Sequence, residues 1–241
     1  MMQLPPRSTL DVHINHPSLD GFSLLHLSDL HINTKTSVES MQALVNQCKN
    51  VACECIIITG DIIDTKVKFI TQQLHILNQL PNVYYISGNH DIFYGLDALK
   101  KALHTFTFLD NALEKIRFKN QDIYLVGLAD RFSKFFHVQR DIQKVIQLTK
   151  HKEPLIFLAH QPKDYKIALQ TKASLFLCGH THGGQIWPFH YLVRLVQPYL
   201  SGLHYKSNMA IYVNSGLGTW GIHYRYKAQS EITLLQLKPS F

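Results

Sequence analysis

The sequence predicts an α/β fold in a single domain spanning residues 1–241. Short apolar runs bounded by turn residues alternate with stretches of helical spacing, which is typical of helices layered on sheets. Hydrophobic residues make up 46% of the chain and charged residues 17%, a balance that predicts a buried core and excludes disordered and fibrous proteins. No internal repeat, low-complexity tract or Pro-, Gly- or Ser-rich linker divides the sequence, so one domain is expected.

Eight apolar runs are predicted to be strands, and several of these runs are expected to be buried on both faces. The eight runs are Phe22–Leu27, Cys55–Thr59, Val83–Ser87, Ile123–Leu128, Leu155–Ala159, Leu175–Cys178, Ala210–Asn214 and Glu231–Leu237. Five stretches with helical spacing lie between them, and they are Val38–Lys49, Lys66–Gln79, Leu96–His104, Arg140–Lys150 and Tyr165–Thr171. This order predicts helices that cover the faces of sheets.

The charge balance favours an anionic partner. The chain has 24 Lys and Arg against 17 Asp and Glu, a formal net charge of +7, which suits a phosphorylated ligand or an anionic membrane surface. The basic residues are scattered, with no dense run interleaved with aromatic residues, so no specific nucleic-acid partner is predicted. The 15 His residues are an unusual number, and imidazole is the commonest metal ligand.

The cysteines and the absence of apolar segments favour the cytoplasm. Cys53 and Cys55 are too closely spaced for a CxxC pair, so these thiols, with Cys48 and Cys178, are predicted to be free and buried in a reducing compartment. The first residues show no signal-peptide core, and no window approaches the ~18 consecutive apolar residues of a spanning helix. We expect a cytoplasmic protein, either free or peripheral at the inner membrane surface.

Short polar bursts follow five of the predicted strands. Ligands gather beyond the carboxyl ends of strands in such folds, and these bursts supply seven candidate metal ligands, namely Asp29, His31, Asp61, Asn89, His160, His180 and His182. Asp29 and His31 are two apart, so on an extended strand they would face the same side, as would His180 and His182. A single such pair would more often be a hydrogen-bonding loop than a metal site, but five bursts together indicate ligands.

The donor set predicts two metal ions. Carboxylate, imidazole and amide oxygen, without thiolate, suit divalent cations such as Mn²⁺, Fe²⁺, Zn²⁺ or Co²⁺, and Mn²⁺ is our first expectation. Seven ligands are too many for one tetrahedral ion but suit two ions that share a carboxylate. Such pairs act on both the attacking and the leaving oxygen of a phosphoryl displacement.

The motifs occur in the order Asp29-x-His31, Gly60-Asp61, Gly88-Asn89-His90-Asp91, His160 and Gly179-His180-Thr181-His182. This signature resembles the calcineurin-like metallophosphoesterase superfamily over nearly the whole chain. The string CGHTHGGQIWP and the later Asn214–Thr219 resemble the YkuE/YaeI-type branch, which includes LpxG-like UDP-2,3-diacylglucosamine pyrophosphatases of lipid A biosynthesis. The resemblance implies a four-layer αββα sandwich of two mixed sheets.

The resemblance also implies roles for the matching residues. One metal would be held by Asp29, His31 and His182, the other by Asn89, His160 and His180, with Asp61 bridging them. His90 and Asp91 would be catalytic: His90 would bind the phosphoryl oxygen or protonate the leaving oxygen, and Asp91 would set its tautomer, unless the pair is only a structural turn. Asn89 and His90 would contact the substrate.

Residues 188–205 form a predicted apolar flap after the last metal motif, with Arg194 as its only formal charge and a candidate substrate contact. The flap could be a core-packing helix, an acyl-chain or membrane contact, or a subunit contact. A second apolar cluster, 132–137, follows another strand end. We expect a phosphodiester or pyrophosphate hydrolase acting on a lipid-linked phosphoester, with a nucleotide or nucleic-acid phosphodiesterase as the alternative. A non-catalytic scaffold is disfavoured because all seven ligands and His90 are present.

Overall fold

Two mixed sheets of six strands each carry the fold in the computed structural model, which describes residues 4–136, 138–188, 190–222 and 224–240. The strands are β1 (Arg7–Ile14), β2 (Ser23–Leu27), β3 (Cys55–Ile58), β4 (Val83–Tyr85), β5 (Thr107–Phe108), β6 (Ala112–Phe118), β7 (Gln121–Gly127), β8 (Leu155–Leu158), β9 (Leu175–Cys178), β10 (Gly202–Lys206), β11 (Met209–Val213) and β12 (Ile232–Pro239). The helices are α1 (Val38–Lys49), α2 (Thr71–Leu77), α3 (Asn89–Ala102), α4 (Ile142–Leu148), α5 (Tyr165–Gln170) and α6 (His190–Val196).

The first sheet has the strand order β1-β12-β2-β3-β4-β5, and the second has the order β10-β11-β9-β8-β7-β6. Within the first, β2, β3, β4 and β5 are parallel and β12 is antiparallel to β2. Within the second, β7, β8, β9 and β11 are parallel, while β6 and β10 pair antiparallel at the two edges. Each sheet is therefore mixed, as expected.

Side-chain alternation along the strands divides the core into three apolar layers. Leu25 and Leu27 of β2 pack with α1 and α2 on one face of the first sheet, whereas Leu24 points into the layer between the sheets. Phe157 of β8 packs in a third layer with residues of α4 and α5. The layers are thus helices, sheet, sheet and helices, which confirms the four-layer αββα sandwich.

The eight predicted strands are the eight interior strands of the two sheets, and the four that the sequence missed, β1, β5, β6 and β10, are the four edges. The predicted helix 66–79 is a 3₁₀ turn, Val67–Phe69, followed by α2. Helix α3 is interrupted at Gly95, whose φ is 119° and ψ 80°, so the predicted helix from Leu96 matches its second segment. The sequence missed the first segment from Asn89, where the Asp91 carboxylate accepts the N–H of Gly88 and closes the first turn.

Two further expectations can be compared with the described residues. Three of the four cysteines, Cys48, Cys55 and Cys178, are buried free thiols, and Cys53 is half-buried. Among residues 4–240, apart from the three interior positions left undescribed, no helix combines the length and apolarity needed to span a bilayer.

Candidate metal centre

The candidate site lies where loops from the two sheets meet. Strands β2, β3 and β4 are parallel neighbours, as are β8 and β9, so the loops that follow them leave each sheet at one edge. The backbone N–H of His180, after β9, donates to the Oδ2 atom of Asp29, after β2, over 2.9 Å. This bond joins the two sheets at the site.

The expectation that paired ligands share a face of an extended strand is wrong. Strand β2 ends at Leu27, and Asp29 and His31 have left-handed backbone φ angles of 50° and 47°. His180 and His182, beyond β9, have φ angles of 71° and 51°. A non-glycine residue in this region costs of the order of 1–3 kcal/mol and persists where surrounding contacts enforce it. The loop conformation, rather than strand pleating, aims these side chains.

Asp29 and Asp61 each use one carboxylate oxygen to accept hydrogen bonds and leave the other facing imidazoles. The Oδ2 atom of Asp29 accepts from the Ser28 hydroxyl at 2.6 Å, besides the N–H of His180. The Oδ1 atom of Asp61 accepts from the N–H of His90 at 2.8 Å. Both carboxylates are therefore held in fixed orientations, with Asp29 Oδ1 and Asp61 Oδ2 free to bind a cation.

The first ligand cluster contains Asp29, His31 and His182. Asp29 Oδ1 lies 3.3 Å from the Nε2 atom of His182 and 3.9 Å from the Nε2 atom of His31. The two Nε2 atoms are 3.1 Å apart. Three ligand atoms from two loops thus converge on one point, as predicted for the first metal.

The second cluster contains Asp61, His160 and His180. Asp61 Oδ2 lies 3.3 Å from the Nε2 atom of His160, which is 3.1 Å from the Nδ1 atom of His180. Asp61 Oδ2 is also 3.8 Å from the Nε2 atom of His31 in the first cluster. The Asp61 carboxylate therefore lies between the two clusters, where a bridging ligand would have to lie.

Unpaired buried atoms show that these residues fit metal ions. Asp29 Oδ1 and Asn89 Oδ1 are buried without a hydrogen-bond partner in the described part of the chain, and such atoms are costly unless something binds them. Asn89 directly precedes His90, whose N–H reaches Asp61. The Nδ1 atom of His160 lies 2.7 Å from the Thr59 carbonyl oxygen, so it carries the proton and leaves the Nε2 lone pair for a metal.

The electrostatics of the site suit a cation. Burial alone would raise the pKa of Asp29 and Asp61, but the neighbouring imidazoles outweigh it and hold the pKa of both carboxyls well below the ordinary range. Burial lowers the pKa of His180 to about 4 and also lowers the pKa of His182. Burial disfavours the imidazolium of His160, but Asp61 and Asp29 outweigh burial and raise the pKa of His160 well above its ordinary value. At neutral pH the site therefore offers ionised carboxylates beside the neutral imidazoles of His180 and His182.

Two glycines let the loops approach the carboxylates. A Cβ atom on Gly88 would overlap Asp61 Oδ1, and a Cβ atom on Gly179 would overlap the Ser28 hydroxyl and Asp29 Oδ2. Neither glycine has a positive φ. Space, rather than backbone conformation, requires glycine at these two positions.

His90 lies beside the clusters with a different partner from the one predicted. Its Nδ1 atom lies 2.7 Å from the Oδ1 atom of Asp64. The Asp91 carboxylate instead accepts the backbone N–H groups of Gly88, Asp61, Ile62 and Ile63. The role given to Asp91 is therefore corrected: Asp91 joins the β3 and β4 loops, and Asp64 orients His90.

Sequence reasoning missed Asp64 and Arg225. Asp64 stands three residues after Asp61, and that spacing was the only available signal. Arg225 reaches the site from 43 residues away: its Nη2 atom lies 3.2 Å from the Nδ1 atom of His182 and 3.1 Å from the Gly216 carbonyl oxygen. Nothing local in the sequence indicates this contact.

The loop 214–219, which carried part of the resemblance noted above, packs directly on the loop that holds Asp29 and His31. The N–H of Leu217 donates to the Ser28 carbonyl oxygen at 3.0 Å, and the N–H of Gly218 donates to that of Asp29 at 2.7 Å. A Cβ atom on Gly216 would lie 2.6 Å from the Cβ atom of Asp29. The loop 214–219 therefore supports the backbone of Asp29.

The structure does not bring Arg194 to the clusters. Arg194 lies on α6, a helix without a buried residue, and no hydrogen bond or ion pair to a ligand is found for it within the described ranges. Its contact with substrate stays a prediction. Within the flap, Gln197 is buried and β10 pairs with β11, whereas most residues of α6 are exposed. Phe189 lies outside the described residues.

Two adjacent clusters of carboxylate and imidazole on a two-sheet sandwich define a dinuclear metallohydrolase-type centre. The chain belongs to the calcineurin-like phosphoesterase family, whose model matches residues 22–184. An uncharacterized metallophosphoesterase of Helicobacter pylori is 34% identical over 224 residues, covering 90% of this chain and 60% of its own length. The chain thus spans well under the full length of this relative.

Two other similarities agree with the family. The uncharacterized metallophosphoesterase YkuE of Bacillus subtilis is 28% identical over 232 residues, covering 91% of this chain and 80% of its own length. The crystal structure of a putative 5'-nucleotidase from Staphylococcus aureus has a TM-score of 0.58 at 13% identity, covering 91% of this chain and 55% of that chain. At that identity the likeness concerns the fold.

Proposed function

We propose that this chain hydrolyses a phosphodiester or pyrophosphate bond at a centre of two divalent cations. The observation that carries the proposal is the position of the Asp61 carboxylate, 3.3 Å from His160 and 3.8 Å from His31, between two clusters that fit metal ions. Cations bound there would supply Lewis acidity and lower the pKa of an attacking water. Mn²⁺ is the first candidate, and Fe²⁺, Zn²⁺ and Co²⁺ fit the same donors.

His90 is the proton donor in this proposal. Because a carboxylate only accepts hydrogen bonds, the proton on His90 Nδ1 points to Asp64, and Nε2 is the nitrogen that can donate to the leaving oxygen. Burial disfavours the imidazolium, but Asp64 and Asp61 outweigh burial and raise the pKa of His90. The raised pKa favours the protonated imidazole that leaving-group departure needs, and Asn89 would contact the phosphoryl group beside it.

A row of aromatic rings supports an apolar substituent on the substrate. The row runs outward from His90, each ring in contact with the one before it, through Tyr94, Phe93, Phe136, Phe132 and Phe135. Successive ring centroids lie between 5.0 and 6.1 Å apart. Phe93 is 58% exposed and Phe135 is 63% exposed, although large apolar side chains are normally covered. His137, at the end of this predicted apolar cluster, lies outside the described residues.

A hydrocarbon chain fits this row better than a flat nucleobase. Phe93 is nearly perpendicular to both of its neighbours, at 84° to Tyr94 and 82° to Phe136, so the rings of the row do not form one continuous flat face. We therefore keep UDP-2,3-diacylglucosamine as the first candidate substrate, since its diphosphate suits the net charge of +7 and its acyl chains suit the row.

The test is UMP release from UDP-2,3-diacylglucosamine by the purified chain with Mn²⁺, with Asn89→Ala as the inactive control. Phe93→Ala should raise KM for the lipid substrate and leave KM for bis(4-nitrophenyl) phosphate unchanged. Phe69→Ala is the matched control, because Phe69 is 57% exposed but lies under Lys68 rather than in the row. Cleavage of the aryl diester without UMP release would support phosphoesterase activity but reject the lipid substrate. A nucleotide would then become the first candidate substrate.

A further inference from the structure

Helix α6 and the residues before it expose an unusual number of large apolar side chains. Leu195 is 82% exposed, Tyr191 and Leu192 are each 59% exposed, and Val196 and Trp187 are about half exposed. None of the helix residues is buried. A helix of a water-soluble domain normally turns one apolar side towards a core, whereas most of the apolar side chains of α6 are exposed.

A second exposed apolar segment is held beside the first. Trp220, Ile222, Tyr224 and Tyr226 are each exposed. The side-chain amide of Gln185 donates to the carbonyl oxygens of Trp220 and Ile222, both at 3.0 Å. The second segment is therefore held by the residue two positions before Trp187, and the two segments together are called here the apolar face.

Backbone bonds complete the connection and place the apolar face next to the metal centre. The N–H of Trp187 donates to the Tyr226 carbonyl oxygen at 3.1 Å. Gln185 and Trp187 follow the 3₁₀ turn His182–Gly184, which begins at a metal ligand. Arg225, between Tyr224 and Tyr226, reaches back to His182. Whatever covers the apolar face therefore lies at the border of the site.

The two segments that make up the apolar face carry charges of one sign. The sequence contains no Asp or Glu from Tyr165 to Ser230, while Arg194 and Lys227 lie within the two exposed segments or next to them. The Nζ atom of Lys227 lies 5.0 Å from the ring centroid of Trp187 and 5.6 Å from that of Tyr226. Exposed Trp and Tyr rings with basic side chains and no carboxylate are typical of surfaces that enter the headgroup region of a bilayer.

We propose that the apolar face docks this protein on an anionic lipid bilayer. A second copy of the chain fits less well, because a two-fold contact would place the basic residues of both copies together with no carboxylate to pair them. An anionic bilayer accepts both the apolar side chains and the positive charge. The proposal concerns location and does not depend on which phosphoester is cleaved.

The experiment is flotation of the full chain with vesicles of phosphatidylcholine mixed with phosphatidylglycerol, and with vesicles of phosphatidylcholine alone. We expect binding to the anionic vesicles that weakens at high salt. The double variant Leu195→Ser/Ile222→Ser should reduce the bound-to-free ratio at least about tenfold, because each side chain gives up its burial in the bilayer. Phe69→Ser, on a different surface element, should bind like the wild type.

A charge variant keeps the test independent of folding. Lys227→Glu should lower binding to anionic vesicles and leave hydrolysis of bis(4-nitrophenyl) phosphate intact, whereas Lys144→Glu on α4 should change neither. Equal binding by wild type and the double variant, or no binding by the wild type, would overturn the proposal. A dimer in light scattering that Leu195→Ser/Ile222→Ser abolishes, without vesicle binding, would assign the apolar face to a second copy.

Discussion

The Nδ1 atom of His90 lies 2.7 Å from the Oδ1 atom of Asp64, and this contact determines which ring nitrogen faces the reaction. Asp64 stands on the same loop as Asp61, so one loop carries both the ligand between the two clusters and the partner of His90. Asp64 is 3.9 Å from the Nδ1 atom of His31, too far for a hydrogen bond. His90 is therefore the imidazole that Asp64 orients by a hydrogen bond, although His31 and His90 together lower the pKa of the Asp64 carboxyl.

Asp64→Asn should lower kcat by roughly 10- to 100-fold, the usual cost of losing a partner that orients a functional imidazole. Bound metal, measured by elemental analysis, should stay at the wild-type level. Asp97→Asn, an exposed carboxylate on the same helix as His90, should leave kcat unchanged. Loss of metal in Asp64→Asn would contradict a role confined to His90.

His90→Ala should retain metal and slow turnover by roughly 10²–10⁴-fold, the span of a lost general acid. If Asp64 acts only through His90, adding Asp64→Asn to this variant should cost little more, because coupled residues are not additive. Steady-state kinetics of the two single variants and the double variant measure this coupling. Fully additive losses would show that Asp64 has a separate task.

Asp61→Ala should lose both metals, because its carboxylate lies between the clusters. Asn89→Ala should keep the metal held by Asp29, His31 and His182. Metal content after gel filtration distinguishes the two variants. Added Mn²⁺ should also raise the Tm of the wild type and not that of Asp61→Ala, since only a protein that binds the ion is stabilised by it.

Gly88→Ala should weaken metal binding and also cost stability. The backbone at Gly88 has φ of −102° and ψ of 179°, which alanine adopts freely, but the added Cβ would overlap the Asp61 carboxylate and lie 2.5 Å from the Asp61 backbone nitrogen. Gly221→Ala is the contrasting control, since it meets no atom within 4 Å but has φ of +65°, so it should cost stability and spare metal affinity. Titration with Mn²⁺ and urea denaturation report the two effects.

Asp164→Ala should destabilise the fold by about 3–5 kcal/mol, because it leaves a partly buried guanidinium without its counter-ion. The buried Asp164 carboxylate accepts from Arg131 and Arg140 at 2.7 and 2.8 Å. Lys238→Ala, which removes an exposed pair with Asp11, should cost less than about 1 kcal/mol. Equal losses in urea denaturation would contradict the difference in burial.

Arg131 begins the 3₁₀ turn Arg131–Phe135, which carries the outer rings of the aromatic row. Asp164→Ala should therefore also raise KM for an acylated substrate more than for a small aryl diester. The ratio of the KM for the acylated substrate to the KM for the aryl diester measures this effect. An unchanged ratio would show that the ion pair of Asp164 does not affect substrate binding.

The interior of the fold and the candidate metal ligands could be predicted from residue types alone. A strand buried on both faces needs an unbroken apolar run, so all eight interior strands were visible, and the ligands stand where those runs end. The four edge strands could not be predicted in this way. In β1, with the sequence RSTLDVHI, most residues are exposed, so hydrogen bonding to β12, rather than hydrophobicity, makes the segment a strand.

The partner of His90 and the support of His182 depended on tertiary structure. Asp91 follows His90 directly, but the first turn of α3 aims its carboxylate at backbone N–H groups, and Asp64, 26 residues away, fills the place beside the imidazole. Arg225 reaches His182 across 43 residues. Sequence alone determined the chemistry of the site, because ligand types and strand ends are local properties. Only the tertiary structure decided which side chains orient those ligands, because that depends on how distant loops pack.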